Sequence, residues 1–196
     1  MKPPYPLVVL DRDGVINHDS PNYIRSPSDF VPIEGSLEAI ATLNRRGVRV
    51  AVATNQSAIG RGYIDVATLE AIHLKLTDLL AAAGGKIDSI AYCPHTPDDR
   101  CTCRKPEPGL LITLAKEFQV DCQQIVFIGD SATDMEAAAR AGATGILVRT
   151  GNGREHEEAN RIPERVARFE NLREAIESVL GEPNESEKPR KPSGQL

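Results

Sequence analysis

The chain has 196 residues, 40% hydrophobic and 26% charged, and its 23 Lys and Arg against 28 Asp and Glu leave a formal charge of −5. That composition excludes a fibrous or wholly disordered chain and speaks against a nucleic-acid binder, which carries a basic surface. Apolar runs such as 7–10 and 79–83 fall far short of the ~18 residues of a membrane-spanning helix. The start Met1-Lys2-Pro3-Pro4-Tyr5-Pro6 lacks the apolar core of a secretory signal, so a cytoplasmic protein with neither membrane nor nucleic-acid partner is expected.

In chain order, short apolar runs at 7–10, 48–53, 87–92, 125–128 and 144–148 read as buried strands, with helix-period segments between them. Helices are expected at 37–46, stopped by Gly47, and at 66–83, where Leu69, Ile72, Leu76, Leu79 and Leu80 share a face behind an Asp65 cap. Others are expected at 109–118, at 132–141 before Gly142, and at 172–180, opened by Asn171 and Glu174 at capping-box spacing. This rhythm predicts an α/β fold: a doubly wound, Rossmann-like parallel sheet ordered 3-2-1-4-5, helices on both faces, in one domain over residues 1–180. Residues 18–35 are too few for a large cap domain. The stretch 181–196 has three prolines and balanced charge and reads as a disordered tail, so the acidity belongs to the folded body.

Ligands bind doubly wound sheets at the carboxyl ends of the strands, where the winding reverses beside strand one. Strand one ends in Asp11-Arg12-Asp13-Gly14, strand two in Thr54-Asn55-Gln56-Ser57, and strand four in Gly129-Asp130-Ser131 with Asp134 a turn later. Carboxylates gathered there repel one another unless a cation is present, and a hard ion such as Mg²⁺ suits oxygen donors. The Thr54 hydroxyl and nearby N–H groups can hold phosphate oxygens. Arg12, one residue from each acid on an extended segment, is expected to point the opposite way.

After strand three come Cys93-Pro94-His95 and then Cys101-Thr102-Cys103-Arg104-Lys105. Three thiols and an imidazole within eleven positions match a Cys₃His structural zinc site, although C-x-H and C-x-C are not the usual finger spacings. Four protein ligands leave no open position, so the Zn²⁺ would fold the loop and aim Arg104 and Lys105 at a bound oxyanion. Cys122 stands apart and is expected to pack as a small apolar residue. His18 borders the site by position, and His73 on the long helix has no partner at a telling spacing.

Asp11-x-Asp13-Gly14, Thr54, Lys105 and Gly129-Asp130-x-x-x-Asp134 together resemble the four signature motifs of the haloacid dehalogenase superfamily of phosphohydrolases, over about residues 7–150. The resemblance implies Asp11 as nucleophile forming a phosphoaspartyl intermediate, Asp13 as general acid and base, and Thr54 and Lys105 as stabilisers of the phosphoryl group. It also implies Mg²⁺ on Asp11, the main-chain carbonyl of Asp13 and Asp130, with Asp134 supporting.

The runs Asp11–Asn17, Asp19–Tyr23, Thr54–Ser57, Ile59-x-Arg61-Gly62, Cys93-Pro94-His95 and Arg104-Lys105-Pro106-x-Pro108-Gly109 are similar to the branch that dephosphorylates heptose 1,7-bisphosphate. That branch serves the ADP-heptose of bacterial lipopolysaccharide core. By this resemblance a small phosphorylated sugar would touch Asp19, Asn22, Thr54, Asn55, Gln56, Ser57, Arg104 and Lys105, in an enzyme expected to be a monomer. Two departures keep a second substrate open. Ser131 stands where some members carry Lys, and the short cysteine loop is also similar to the phosphatase domain of histidinol-phosphate phosphatases. A receiver-like phosphoacceptor shares the sheet, the acids, a Thr and a Lys, but its acceptor follows strand three, where this chain has its cysteines.

Overall fold

The structure, a computed structural model, describes residues 5–181. The expected tail therefore lies, apart from its first residue, outside the described residues. Six strands form one parallel sheet: β1 (Leu7–Leu10), β2 (Arg49–Asn55), β3 (Ser89–Cys93), β4 (Ile125–Gly129), β5 (Thr144–Val148) and β6 (Ala167–Phe169). Their order is β3-β2-β1-β4-β5-β6, which contains the expected 3-2-1-4-5 and extends it by one edge strand.

The helices are α1 (Ser36–Arg45), α2 (Ser57–Gly60), α3 (Val66–Ala82), α4 (Gly109–Phe118), α5 (Ala132–Ala141), α6 (Gly153–Glu158) and α7 (Leu172–Val179). Caps expected from the sequence are made. Asp65 accepts from Thr68 N at 2.8 Å to open α3, and Asn171 accepts from Glu174 N at 3.0 Å to open α7.

Alternation along the central strands divides the core into two layers. Val8 and Leu10 of β1, Val50 and Val52 of β2, and Val126 and Ile128 of β4 pack with Ile40 and Leu43 of α1, Leu69, Ile72, Leu76 and Leu80 of α3, and Ile176 of α7. The intervening Leu7, Val9, Ala51, Ala53, Ile125 and Phe127 turn to the other face and meet Leu110, Leu111 and Leu114 of α4 and Ala137 and Ala138 of α5. Both faces of β1 are thus covered, and all four of its residues are buried.

That double burial leaves the chain free to carry polar side chains only where it leaves the sheet. Leu10 lies level with Val52 on one side and Ile128 on the other. The segments after β1, β2 and β4 therefore emerge side by side at the reversal of winding.

Residues 18–35 form no cap; they hold one 3₁₀ turn, Pro27–Asp29, and anchor through buried Ile24 and Phe30. Lys75 Nζ of α3 donates to Pro27 O at 2.6 Å, and the Tyr23 ring packs at a tilt against Tyr63, centroids 5.4 Å apart, with Arg25 lying 4.4 Å over the Tyr63 ring. No helix among the described residues is long and apolar enough to cross a membrane.

Candidate active site

A crevice of about 410 Å³ opens where β1, β2 and β4 end, lined by Asp11, Asp13, Thr54, Lys105, Asp130 and Asp134 among others. Asp11, Asp130 and Asp134 each bring a carboxylate oxygen within 4.8 Å of the others. Three glycines make this approach possible. A Cβ on Gly14 or on Gly151 would stand 2.0 or 2.2 Å from Asp130 Oδ2, and one on Gly129 would stand 2.4 Å from Asp134 Cβ.

Lys105 is buried and lies between the acids. Its Nζ is 2.8 Å from Asp11 Oδ2, 2.7 Å from Asp134 Oδ1 and 3.0 Å from the Ala53 carbonyl. The main chain of Lys105 is clamped to β2: Asn55 Oδ1 accepts from its N–H at 3.1 Å and Asn55 Nδ2 donates to its carbonyl at 3.2 Å. Asp134 has a second task, because its Oδ2 accepts from Ser131 N at 3.1 Å in the box that opens α5. Asp130 Oδ2 accepts from the N–H of Asn152 at 2.9 Å and from its side chain at 3.3 Å.

One ammonium among three buried carboxylates leaves negative charge uncompensated. Burial pushes Asp11 up to about 7 against the pull of Lys105, with Asp134 raising it further. Burial, then Asp134 and Asp11, push Asp130 well above the ordinary carboxylate range. A hard divalent cation on these oxygens removes the repulsion and restores both carboxylates, so the donor set fits Mg²⁺.

Asp13 is held differently. Although burial opposes its ionisation, the guanidinium of Arg12 and hydrogen bonds from Asn17 and Gln56 keep its carboxyl below the ordinary value. Arg12 donates from Nε at 3.0 Å to Oδ1 and from Nη2 at 2.9 Å to both oxygens, while Asn17 Nδ2 and Gln56 Nε2 each approach at 2.9 Å. This corrects one expectation: Arg12 does not point away but folds back, fully buried, onto its neighbour. The chain leaves the strand geometry at this point, with Val15, Ile16 and Asn17 N–H groups all closing on the Arg12 carbonyl, so strand alternation no longer applies.

The other expected site residues sort into lining and framework. Asp19, Ser57 and Arg104 line the crevice, whereas Asn22 sits on the exposed turn beside it and does not. Thr54 Oγ1 accepts from Gln56 Nε2 at 2.9 Å, so Gln56 and Asn55 also serve to hold Thr54, Asp13 and Lys105 in place. The crevice also takes in Tyr23, Arg61, Thr133 and Asn152. Arg61 stands in the Ile59-x-Arg61-Gly62 run, which is the one sequence signal for it, and nothing local marks Asn152, which arrives from the loop after β5.

The four expected zinc ligands converge. The Sγ atoms of Cys93, Cys101 and Cys103 lie 3.1 to 3.6 Å apart, and His95 Nδ1 is 3.5 Å from Cys93 and 3.3 Å from Cys103. These spacings are far beyond a disulfide and close to the edge of a thiolate tetrahedron around Zn²⁺. Burial opposes ionisation of Cys101, but the N–H of Arg104 and the neighbouring thiols bring it to about 7. Arg104 is tied to this cluster twice, its N–H 3.3 Å from Cys101 Sγ and its Nη1 3.1 Å from the His95 carbonyl. Cys122 packs partly buried against the second core layer, as expected.

Known proteins resemble this chain in sequence and fold. Residues 102–175 match the HAD-hydrolase-like family model. A Pseudomonas putida protein named D-glycero-beta-D-manno-heptose-1,7-bisphosphate 7-phosphatase is 50% identical over 166 residues, 85% of this chain and 94% of its own length. The Pseudomonas aeruginosa protein of the same name is 52% identical over 147 residues, 75% of this chain and 83% of its own. Among solved structures, the D,D-heptose 1,7-bisphosphate phosphatase of B. bronchiseptica, complexed with magnesium and phosphate, superposes with a TM-score of 0.87 at 45% identity, covering 89% of this chain and 98% of that one. A crevice of buried acids around one lysine, a Cys₃His loop beside it, and this depth of likeness together mean that the chain belongs to the heptose-1,7-bisphosphate 7-phosphatase family of haloacid dehalogenase-like hydrolases.

Proposed function

We propose that this chain removes the 7-phosphate of D-glycero-D-manno-heptose 1,7-bisphosphate through a phosphoaspartyl intermediate on Asp11. The observation that carries the reading is the buried Lys105 held between Asp11 and Asp134, an arrangement that screens a nucleophilic carboxylate from an incoming phosphate dianion. In the first step Asp13, ionised in the free crevice, takes up a proton from solvent as the phosphate dianion binds beside it; an Asp11 oxygen attacks phosphorus, the bond from phosphorus to the sugar oxygen breaks, and Asp13 gives that oxygen the proton. In the second, water attacks the same phosphorus, Asp13 takes its proton, and the acyl phosphate bond to Asp11 breaks to release inorganic phosphate. Thr54 and Lys105 hold the phosphoryl oxygens throughout. Arg104 and Asp19 meet the remainder of the substrate.

Mg²⁺, held by Asp11, the main-chain carbonyl of Asp13 and Asp130 with Asp134 in support, would neutralise the phosphate oxygens and draw electron density from phosphorus. Zn²⁺ on Cys93, His95, Cys101 and Cys103 would set the loop that carries Arg104. The enzyme is read as a cytoplasmic monomer, one domain over residues 1–180, with no nucleic-acid or membrane partner.

Phosphate release from the α and β anomers of heptose 1,7-bisphosphate, histidinol phosphate and fructose 1,6-bisphosphate tests the reading. The β anomer, which the names of the Pseudomonas relatives carry, is expected to give the highest kcat/KM. An equal or higher value for histidinol phosphate would replace the substrate. Asp11→Asn is expected to lose turnover by at least about 10³-fold, and removal of Mg²⁺ to abolish it reversibly. Near wild-type activity in Asp11→Asn would remove the nucleophile assignment.

A further inference from the structure

A fully buried guanidinium must find acceptors for its N–H groups, and Arg12 finds them in three places. Its Nε and Nη2 form the fork onto Asp13, and Nη2 also donates to Gln56 Oε1 at 3.2 Å. Its other arm, Nη1, points away from that fork toward α3 and lies 3.3 Å from Nε2 of His73. A guanidinium has no lone pair to offer, so His73 Nε2 accepts and the ring proton sits on Nδ1. The imidazole is partly buried and packs edge-on to Tyr92, with centroids 6.1 Å apart. Burial, and then the charge of Arg12, hold its pKa down to about 4, which keeps that lone pair available at neutral pH.

The fork and the Gln56 contact hold the guanidinium by its Nε and Nη2 side. The His73 contact fixes the opposite arm, Nη1, to a helix from a distant part of the chain. We propose that His73 is a positioning residue for the phosphatase reaction, its Nε2 anchoring Arg12 so that the Asp13 carboxyl group keeps the orientation from which, once protonated, it gives its proton to the leaving group. This rests on the assignment of Asp13 as general acid and base made above.

The test compares two substrates in His73→Leu. Heptose 1,7-bisphosphate loses an alkoxide that needs a proton, whereas p-nitrophenyl phosphate loses a phenolate that departs without one. Because kcat/KM reports the steps up to the first irreversible one, it should fall roughly tenfold for the sugar phosphate and stay within about twofold for the aryl phosphate, with KM for the sugar unchanged. His73→Gln, whose amide oxygen can accept from Nη1, should recover most of the loss. Equal losses on both substrates, no loss on either, or no recovery with glutamine would overturn the proposal.

Asp13→Asn, run alongside, separates this inference from its premise. If it spares the sugar phosphate, the acid assignment fails and the role of His73 falls with it; if it is inactive while His73→Leu is not, only the role of His73 fails. Imidazole ¹⁵N shifts of the wild-type protein provide a reading independent of turnover. They should show His73 as the neutral Nδ1–H tautomer, and an Nε2–H tautomer or an imidazolium at neutral pH would sink the contact.

Discussion

At the scale of single residues, the acids of the crevice depend on neighbours with no side chain. Gly14 has φ +80°, in the left-handed region, and its missing Cβ leaves the space that Asp130 Oδ2 occupies. Gly14→Ala is therefore expected to displace the Asp130 carboxylate as well as to strain the turn, at about 1 kcal/mol for the backbone alone. Magnesium titration of activity should show at least a tenfold rise in the half-saturating concentration, while circular dichroism stays native. An unchanged magnesium requirement would show that Asp130 accommodates a methyl group.

His73 carries a second residue-scale consequence, for stability. Its folded pKa of about 4 lies below the ordinary 6.5, so the unfolded chain binds the proton more readily. The contribution is present above pH 6.5 and is lost as pH falls toward 4. It amounts to roughly 3 kcal/mol at most. Urea unfolding at a series of pH values should show wild type losing stability through this window relative to His73→Gln, in which the step is absent. Parallel curves for the two proteins would contradict the burial of a neutral imidazole.

At the scale of elements, the cysteine loop is the piece least able to hold itself together. Residues 96–100 contribute no buried side chain, and among the described residues their only regular structure is the 3₁₀ turn Pro97–Asp99. One zinc per chain is expected by elemental analysis after purification in metal-free buffer. Cys101→Ser should lose most of it, become cleavable by protease within residues 94–104, and lose activity through Arg104 and Lys105. Absence of zinc from the wild-type protein would refute the site.

The same scale shows what the sequence could reveal and what it could not. Strands β1, β2, β4 and β5 and helices α3, α4 and α5 announce themselves because each is long or apolar enough to show its period. Strand β6 is only Ala-Arg-Phe, and α6 is Gly-Arg-Glu-His-Glu-Glu, without an apolar residue; both are held by tertiary contacts. Arg149 N–H donates to the Phe169 carbonyl at 2.9 Å, and His156 Nδ1 accepts from Ala132 N at 2.8 Å. Asn152, the N-cap of α6 and the support of Asp130, is hidden in the sequence together with that helix. The acids and cysteines were legible because their chemistry is local to short motifs. The fold of Arg12 onto Asp13 and the reach of Arg12 to His73 were not, since the latter joins residues 61 positions apart.

At the scale of the whole molecule, burial is complete along the central strands and continues into Thr54, Lys105, Asp130 and Asp134 beyond their carboxyl ends, while Asp11 and Asp13 keep partial exposure at the mouth of the crevice. Residues 18–35 lie against α3 and lend Asp19, Ser20, Tyr23 and Ile24 to the wall of the crevice without forming a cap domain, and Asp13 remains partly exposed. An acyl phosphate formed on Asp11 would therefore sit just inside the mouth of the crevice, beside the partly exposed Asp13. Water would not be its only suitor. Any small alcohol able to reach the proton-accepting oxygen of Asp13 would compete for the phosphoryl group. Molar glycerol should consequently divert a measurable fraction of turnover into glycerol phosphate, detectable by ³¹P NMR, and raise the yield of sugar product over inorganic phosphate. A product ratio fixed at one to one would mean that the geometry around Asp13 admits water alone, a selectivity built without a lid.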